Sequence, residues 1–338
     1  MKAVVLYGPG DVRPGELPRP TPGREDVCIK VAYCGICGSD FHKAAGKEYI
    51  HAVKYPFALG HEVSGVICEV GDLVTEFHVG DRVTVDPNWS CGTCYYCRAG
   101  KPTFCENAHS VVNGMAEYLV APAKNIHPLP KKLSMRRAAL AEPLSCCLRG
   151  IDQLDVQAGE RVALIGFGAI GAIMLRLLRM TGAGEIVVIE YNPARREAAL
   201  AGGADVFLCS QDAEEVTAYA AKYPIDRVIE CVGIPSVQES ALAVAGKGAT
   251  VVMFGVPDST KRTSVSFFDV FSKELTIKTS FLNPNTIGRA LQLLARDDFG
   301  ADEIIHTVIS MDAAAKEFHT PNHTRGGKVL VEIDATLE

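Results

Sequence analysis

Three sets of residues in this 338-residue chain have types and spacing suited to chemistry. The most compact is Cys91-x2-Cys94-x2-Cys97-x7-Cys105. Four thiolates at such spacing wrap a tetrahedral Zn²⁺ without straining the loop, and a closed four-sulfur set leaves no position for substrate, so the expected role is structural. A catalytic metal needs an open position and therefore fewer, mixed ligands. The candidates are Cys37, in Gly35-Ile36-Cys37-Gly38-Ser39-Asp40-Phe41-His42, and His61, in Gly60-His61-Glu62. Taken singly, either is an ordinary buried thiol or histidine; together with the third set they read as ligands.

That third set is Gly166-Phe167-Gly168-Ala169-Ile170-Gly171, directly after the apolar run 162–165. Gly166 permits a tight turn, Gly168 lets backbone approach a pyrophosphate, and Gly171 allows close helix–strand packing. The helix N-terminus at Ala169 and Ile170 offers N–H groups and a positive dipole end to phosphates. Glu190 ends the next apolar strand, where an acid binds the adenosine ribose hydroxyls and repels the 2′-phosphate of NADP. NAD is therefore favoured, although Arg195 and Arg196 follow closely and offer charge to that phosphate.

The elements that must position these residues change character along the chain. To about residue 130 the pattern is β-rich, with strands expected at 27–33, 62–70 and 82–85 and Gly-Asp turns at 71–72 and 80–81. Helix is expected on either side of Pro143, over 134–140 and 144–150. From Arg161 strands and helices alternate: strands at 162–165, 186–190, 206–209, 226–231 and 250–254, helices at 169–180, 195–201 and 237–245. Continuous apolar strands alternating with helices imply a parallel sheet covered on both faces. Helices at 286–296 and 312–318 and a strand at 328–333 follow, and pattern alone does not say which domain they join.

Composition bounds the function classes. The length suggests about two domains. Hydrophobic residues are 48% and charged residues 22%, ordinary for a globular protein with a sizeable core. A net charge of −6 gives no electrostatic reason to expect nucleic acid or anionic membrane as partner. The longest apolar stretch, 162–175, falls short of the ~20 residues of a spanning helix. The N-terminal apolar run is too short for a signal peptide, so a cytoplasmic protein is expected. Twelve cysteines without a secretion signal point to metal ligands and buried thiols rather than disulfides.

The chain resembles the zinc-containing medium-chain dehydrogenases, the superfamily of alcohol, sorbitol and threonine dehydrogenases. The resemblance rests on the Cys37 segment, Gly60-His61-Glu62-x2-Gly65-x5-Gly71-x2-Val74, the four-cysteine loop, Ala141-Glu142-Pro143-Leu144 and the glycine fingerprint, in the family's order. It implies an α/β protein: a GroES-like β-barrel catalytic domain, residues 1–148 and 282–338, carrying the structural zinc loop 91–105, and a Rossmann doubly wound parallel-sheet NAD-binding domain, residues 149–281. Substrate and cofactor would meet between them. Two zinc ions per chain are implied.

By position, Cys37 and His61 are catalytic-zinc ligands, with Glu62, Glu142 and water sharing the remaining places. Glu142 stands where alcohol dehydrogenases place a third cysteine, and a carboxylate there resembles the sorbitol and threonine branches. Cys146, one helical turn on, and Cys147 are rival ligands. Asp40 would accept a hydrogen bond from the distal nitrogen of His61. At an open zinc position an alcohol gives up its proton more easily and its carbon passes hydride to nicotinamide; Ser39 would take the proton and His42 relay it to water. Phe41, Tyr49, Phe57 and Phe281 are candidate pocket residues. Leu282 stands near where animal sorbitol dehydrogenases carry a substrate-holding arginine. A secondary alcohol, a polyol or sugar alcohol, is the expected substrate, with an amino alcohol (threonine or aminocyclitol type) the alternative. A zinc-free quinone or enone reductase would have no use for Cys37 and His61, and a zinc-stabilised dinucleotide-binding sensor or structural protein none for the relay. A homo-oligomer, dimer or tetramer, is expected by analogy.

Overall fold

The computed structural model describes residues 1–47, 54–319 and 326–338. The chain forms two compact units: Met1–Ser145 with the C-terminal segments that begin at Asn283 and at Lys328, and Cys146–Leu282.

In the first unit the strand Asp26–Gly35 is the hub. Eight of its ten residues are buried, and it pairs antiparallel with Glu62–Val70, with Tyr118–Pro122 and with Lys328–Glu332. Arg82–Val85 and Ile126–Pro128 extend the sheet beyond Glu62–Val70, and Ile305–Ser310 pairs parallel with Lys328–Glu332. A three-stranded sheet, Asp11–Glu16, Lys2–Gly8 and Phe57–Ala58, completes the β architecture. Val4, Leu6, Val27, Ile29, Val31, Leu59, Ile67 and Val331 fill the core between them. This is the GroES-like fold. Its C-terminal strands answer what periodicity left open: burial of Leu330 and Val331 against the hub strand recruits them to this unit.

The second unit holds a six-stranded sheet, parallel throughout, in spatial order Val206–Cys209, Glu185–Glu190, Arg161–Ile165, Arg227–Glu230, Thr250–Met253, Thr276–Thr279. In chain order that is 3-2-1-4-5-6, the doubly wound Rossmann arrangement, whose order reverses at Arg161–Ile165. Val162, Ala163 and Leu164 are wholly buried, as are Ile186, Val187 and Val188, because helices cover both faces.

One expectation needs correction, and two elements carry little sequence signal. Pro143 does not separate two helices. Ala141–Leu154 is one helix with Pro143 in its first turn, where the missing N–H costs nothing, and the short helix Met135–Ala138 precedes it. Second, Ala213–Lys222 is a helix, capped by the Asp212 side chain accepting from Glu215 N. Only Val216 is buried on it, so it carries almost no apolar period to read. Third, Thr276–Thr279 is the sixth parallel strand, mostly exposed and equally hard to see. No helix among the described residues is long and apolar enough to cross a membrane.

Candidate active site

The hub strand ends at Gly35, and two residues later Cys37 caps the helix Gly38–Ala44. Gly35 lies opposite Glu62, the first residue of the paired strand, so this register brings Cys37 beside His61 and Glu62. The ligand atoms of these three residues lie within 4.8 Å of one another.

Asp40, wholly buried on that helix, holds the arrangement. Its Oδ2 accepts from Cys37 N at 3.0 Å, its Oδ1 from Gly60 N at 3.2 Å, and Oδ1 lies 3.5 Å from His61 Nδ1. At that last separation Nδ1 makes no regular hydrogen bond among the described residues, but Asp40 lies on the Nδ1 side of the ring, which leaves Nε2 as the nitrogen for a metal. Burial pulls the His61 imidazole downward in pKa, and Asp40 outweighs it, holding the ring well above the ordinary histidine range. Burial pushes Asp40 up, and His61 and Lys43 overcome that, leaving it below its usual value.

Lys328 was not legible in advance. Only 2% exposed, it forms an ion pair through Nζ with Oε1 of the wholly buried Glu62. Burial lowers its pKa and Glu62 more than restores it. Glu62 Oε2 has no hydrogen-bond partner among the described residues, and a Cβ at Gly35 would stand 1.8 Å from it, so a side chain there would push the carboxylate aside. A buried carboxylate oxygen left without a partner is costly unless a cation takes it. The sequence signal for Lys328 is a lysine opening the apolar run 329–331.

Glu142 is also buried, and its charge acts on Lys328, but it is not a member of the 4.8 Å group. Its helix start is tied down. Ser145 Oγ donates to Glu142 O at 2.6 Å, Asn283 Nδ2 donates to Ser145 Oγ at 2.8 Å, and Asn88 Nδ2 donates to Asn283 Oδ1 at 2.6 Å. Cys146 and Cys147 join no metal-ligand group among the described residues. Ser39 and His42 are half-buried on the helix Gly38–Ala44, three positions apart and so on one face. Phe57 belongs to the core, Phe41 packs on Phe318 with ring centroids 4.9 Å apart, and Phe281 is partly exposed. Tyr49 lies outside the described residues. Leu282 takes the left-handed backbone region at φ 57°, uncommon for a branched residue.

The thiols of Cys91, Cys94, Cys97 and Cys105 likewise lie within 4.8 Å of one another. Backbone N–H groups point at the sulfurs: Thr93 and Cys94 donate to Cys91 Sγ at 3.4 and 3.3 Å, and Cys91 and Asn107 donate to Cys105 Sγ at 3.3 and 3.4 Å. The Thr93 hydroxyl and these N–H groups draw the Cys91 thiol down to about 5, while burial pushes Cys97 up to about 11. Four adjacent thiols cannot all ionise without a cation among them, and the donor set fits zinc.

In the second unit Gly166 has φ 91°, and a Cβ at Gly171 would stand 2.2 Å from Gly166 O. A Cβ at Gly168 would meet nothing within 4 Å, so the helix Ala169–Arg179 begins beside open space with its first N–H groups unclaimed by the helix. Glu190, 5% exposed, accepts from Phe167 N at 2.6 Å and Asn192 N at 2.9 Å, and from Arg195 Nη1 at 3.1 Å. The Arg196 guanidinium lies 4.8 Å from the centre of the Phe207 ring. These residues fit a nicotinamide dinucleotide.

Residues 23–131 match the alcohol dehydrogenase GroES-like domain and residues 169–296 the zinc-binding dehydrogenase domain. Over 305 residues the chain is 32% identical to the sorbitol dehydrogenase of Bacillus subtilis (strain 168), covering 87% of this chain and 86% of that one.

The chain belongs to the zinc-containing medium-chain dehydrogenases.

As a medium-chain dehydrogenase it is an oxidoreductase that acts on an alcohol with zinc and a nicotinamide dinucleotide. Among solved structures of the family, a protein described as a zinc-binding dehydrogenase from Sinorhizobium meliloti 1021 is bound to NADP. It is 33% identical, with a TM-score of 0.91 over 98% of this chain and 99% of that one. One described as a short chain alcohol dehydrogenase from E. coli CFT073 is complexed with NADH, at 29% identity and a TM-score of 0.90 over 98% and 99%.

Proposed function

We propose that this dehydrogenase interconverts a secondary alcohol of a polyol or sugar alcohol and its ketone, with NAD as hydride acceptor. The observation that carries the reading is the partly buried, mixed group of Cys37, His61 and Glu62, which is unsuited to a closed structural site. Cys37 and His61 hold the catalytic zinc, and Glu62 and Glu142 share the remaining places with water. When bound there, zinc supplies a Lewis acid that makes an alcohol oxygen more acidic. Asp40 fixes the His61 ring. Ser39 accepts the alcohol proton at Oγ, and His42, on the same helix face, passes it to water. A second zinc sits among Cys91, Cys94, Cys97 and Cys105.

The preference for NAD rests on Glu190 at the strand end, with Arg195 bonded to Glu190 and Arg196 laid over Phe207 rather than set out for a 2′-phosphate. The polyol substrate rests on the carboxylates Glu62 and Glu142 and on the sorbitol dehydrogenase relative. We place the catalytic domain at residues 1–148 and 282–338 and the cofactor domain at 149–281, and the protein in the reducing cytoplasm, as its twelve free thiols suit. A homo-oligomer, dimer or tetramer, is supported by the edge strand Thr276–Thr279 and by Phe267, Phe268 and Phe271, which are 78%, 76% and 83% exposed.

Initial rates of NAD and NADP reduction by zinc-loaded protein test this reading, over polyols, simple alcohols, threonine and an aminocyclitol. A polyol oxidised with NAD supports it. Turnover of threonine alone moves the substrate to the amino-alcohol class, and activity with NADP alone overturns the role given to Glu190.

A further inference from the structure

The strands Asp26–Gly35 and Glu62–Val70 slip in register between Cys28 and Ile29. Cys28 lies opposite Glu69, while Ile29 lies opposite Ile67. Cys68 is therefore the extra residue of a β-bulge, and a bulge breaks the alternation of side chains along a strand. The sequence neighbours Cys68 and Glu69 both reach Cys28 as a result: the two thiols and the carboxylate lie within 4.8 Å of one another. Cys68 Sγ also donates to the carbonyl of Cys28 at 3.3 Å. Cys28 is wholly buried and Cys68 half-buried. Arg19 is ion-paired with Glu69, its Nη2 stands 3.9 Å from Cys68 Sγ, and its guanidinium covers the Tyr118 ring at 4.1 Å. None of these residues belongs to either zinc-ligand set.

We infer that Cys28 and Cys68 are an oxidisable thiol pair that closes a disulfide across the bulge when a hydroperoxide reaches Cys68. The division of labour follows from exposure and charge. Cys68, half-buried beside the Arg19 guanidinium, is the thiol a small peroxide can reach. Burial pushes the Cys28 thiol up to about 12 and keeps it from solvent, so it reacts only with its neighbour. The Cys68 thiolate attacks the peroxide, the O–O bond breaks, and the peroxide leaves as an alcohol, or as water from hydrogen peroxide. Cys68 becomes a sulfenic acid. Cys28 sulfur then attacks that sulfur: the S–S bond forms, the S–O bond breaks, and the hydroxyl departs with the Cys28 proton as water. Two thiols are oxidised by two electrons and one peroxide is reduced. A divalent metal is the poorer occupant, because Glu69 is already neutralised by Arg19 and the cation would stand beside a guanidinium.

The pair sits seven residues from Gly35 along the hub strand, so the cross-link restrains the barrel without touching Cys37 or His61. It joins residues far apart in sequence and so restricts the unfolded chain.

The test treats zinc-loaded protein with hydrogen peroxide, blocks remaining thiols and digests with trypsin. Cys28 is the sole cysteine of residues 25–30 and Cys68 the sole cysteine of residues 55–82, so their cross-link has one mass. We expect that linked pair, reversed by dithiothreitol and absent in Cys68→Ser. Oxidation should raise the melting temperature of the native chain and leave that of Cys68→Ser unchanged. Arg19→Met should slow cross-linking several-fold. Recovery of Cys28 and Cys68 as unlinked peptides, or of Cys68 as its sulfinic acid, overturns the inference. So does a third zinc per chain that Cys68→Ser removes.

Discussion

The four-cysteine loop and the Cys37–His61–Glu62 group both gather side chains able to hold a metal within 4.8 Å, by opposite means. The loop is local: its four thiols fall within residues 91–105, and the N–H groups that steady the sulfurs come from Cys91, Thr93, Cys94 and Asn107 themselves. The mixed group is assembled. Cys37 follows one strand, His61 and Glu62 open another, and Lys328, which pairs with Glu62, opens a third. A local site needs only its own segment, whereas an assembled one needs the sheet register that brings Gly35 opposite Glu62. On the proposed reading substrate chemistry falls to the assembled site, because an open position requires ligands that do not enclose the metal.

Four substitutions probe that contrast. The largest effect is expected from Cys37→Ser, which should lower kcat by about a thousandfold or more while one zinc per chain remains in the thiol loop. Metal analysis and circular dichroism alongside the kinetics check this, and turnover near the native level would remove Cys37 from the mechanism. Next, Lys328→Met should destabilise the first unit by ~3–5 kcal/mol in urea unfolding, since it strands the buried Glu62 charge. Adding Glu62→Gln should recover much of that loss, and a double variant no better than the single would mean that the pair is not coupled.

A smaller effect is expected from Asp40→Asn, which keeps the shape but loses the charge beside His61 Nδ1. Zinc affinity of the mixed site should fall by about 10–100-fold, read by competition with a chelator, with the thiol loop unaffected. The smallest is Thr93→Ala, which removes one exposed hydroxyl contact to Cys91 and should lower stability only slightly. Unfolding midpoints measure it, and loss of the loop zinc would show the local site to be less self-sufficient than its hydrogen bonds indicate.

Legibility in the sequence followed the same division. The cysteine spacing and the glycine fingerprint could be read directly because each is a contiguous segment whose geometry depends on its own backbone. Gly171 illustrates this: its need for glycine comes from a carbonyl five residues earlier. The parallel strands were visible because burial on both faces makes them continuously apolar. The helix Ala213–Lys222 and the edge strand Thr276–Thr279 were not, since exposed elements need no apolar period. Pro143 misled because its effect depends on helix position, which residue type does not state.

By itself, then, the amino-acid sequence determined the four-cysteine loop, the glycine turn, the parallel sheet and, through resemblance, the family. Tertiary structure alone decided that Lys328 pairs with Glu62, that the Glu62 carboxylate lies against Gly35, and that the bulge at Cys68 sets its thiol against Cys28. Each of these depends on which strand lies beside which and in what register. That is settled by burying the shared core of the whole unit, and no short stretch of chain encodes it.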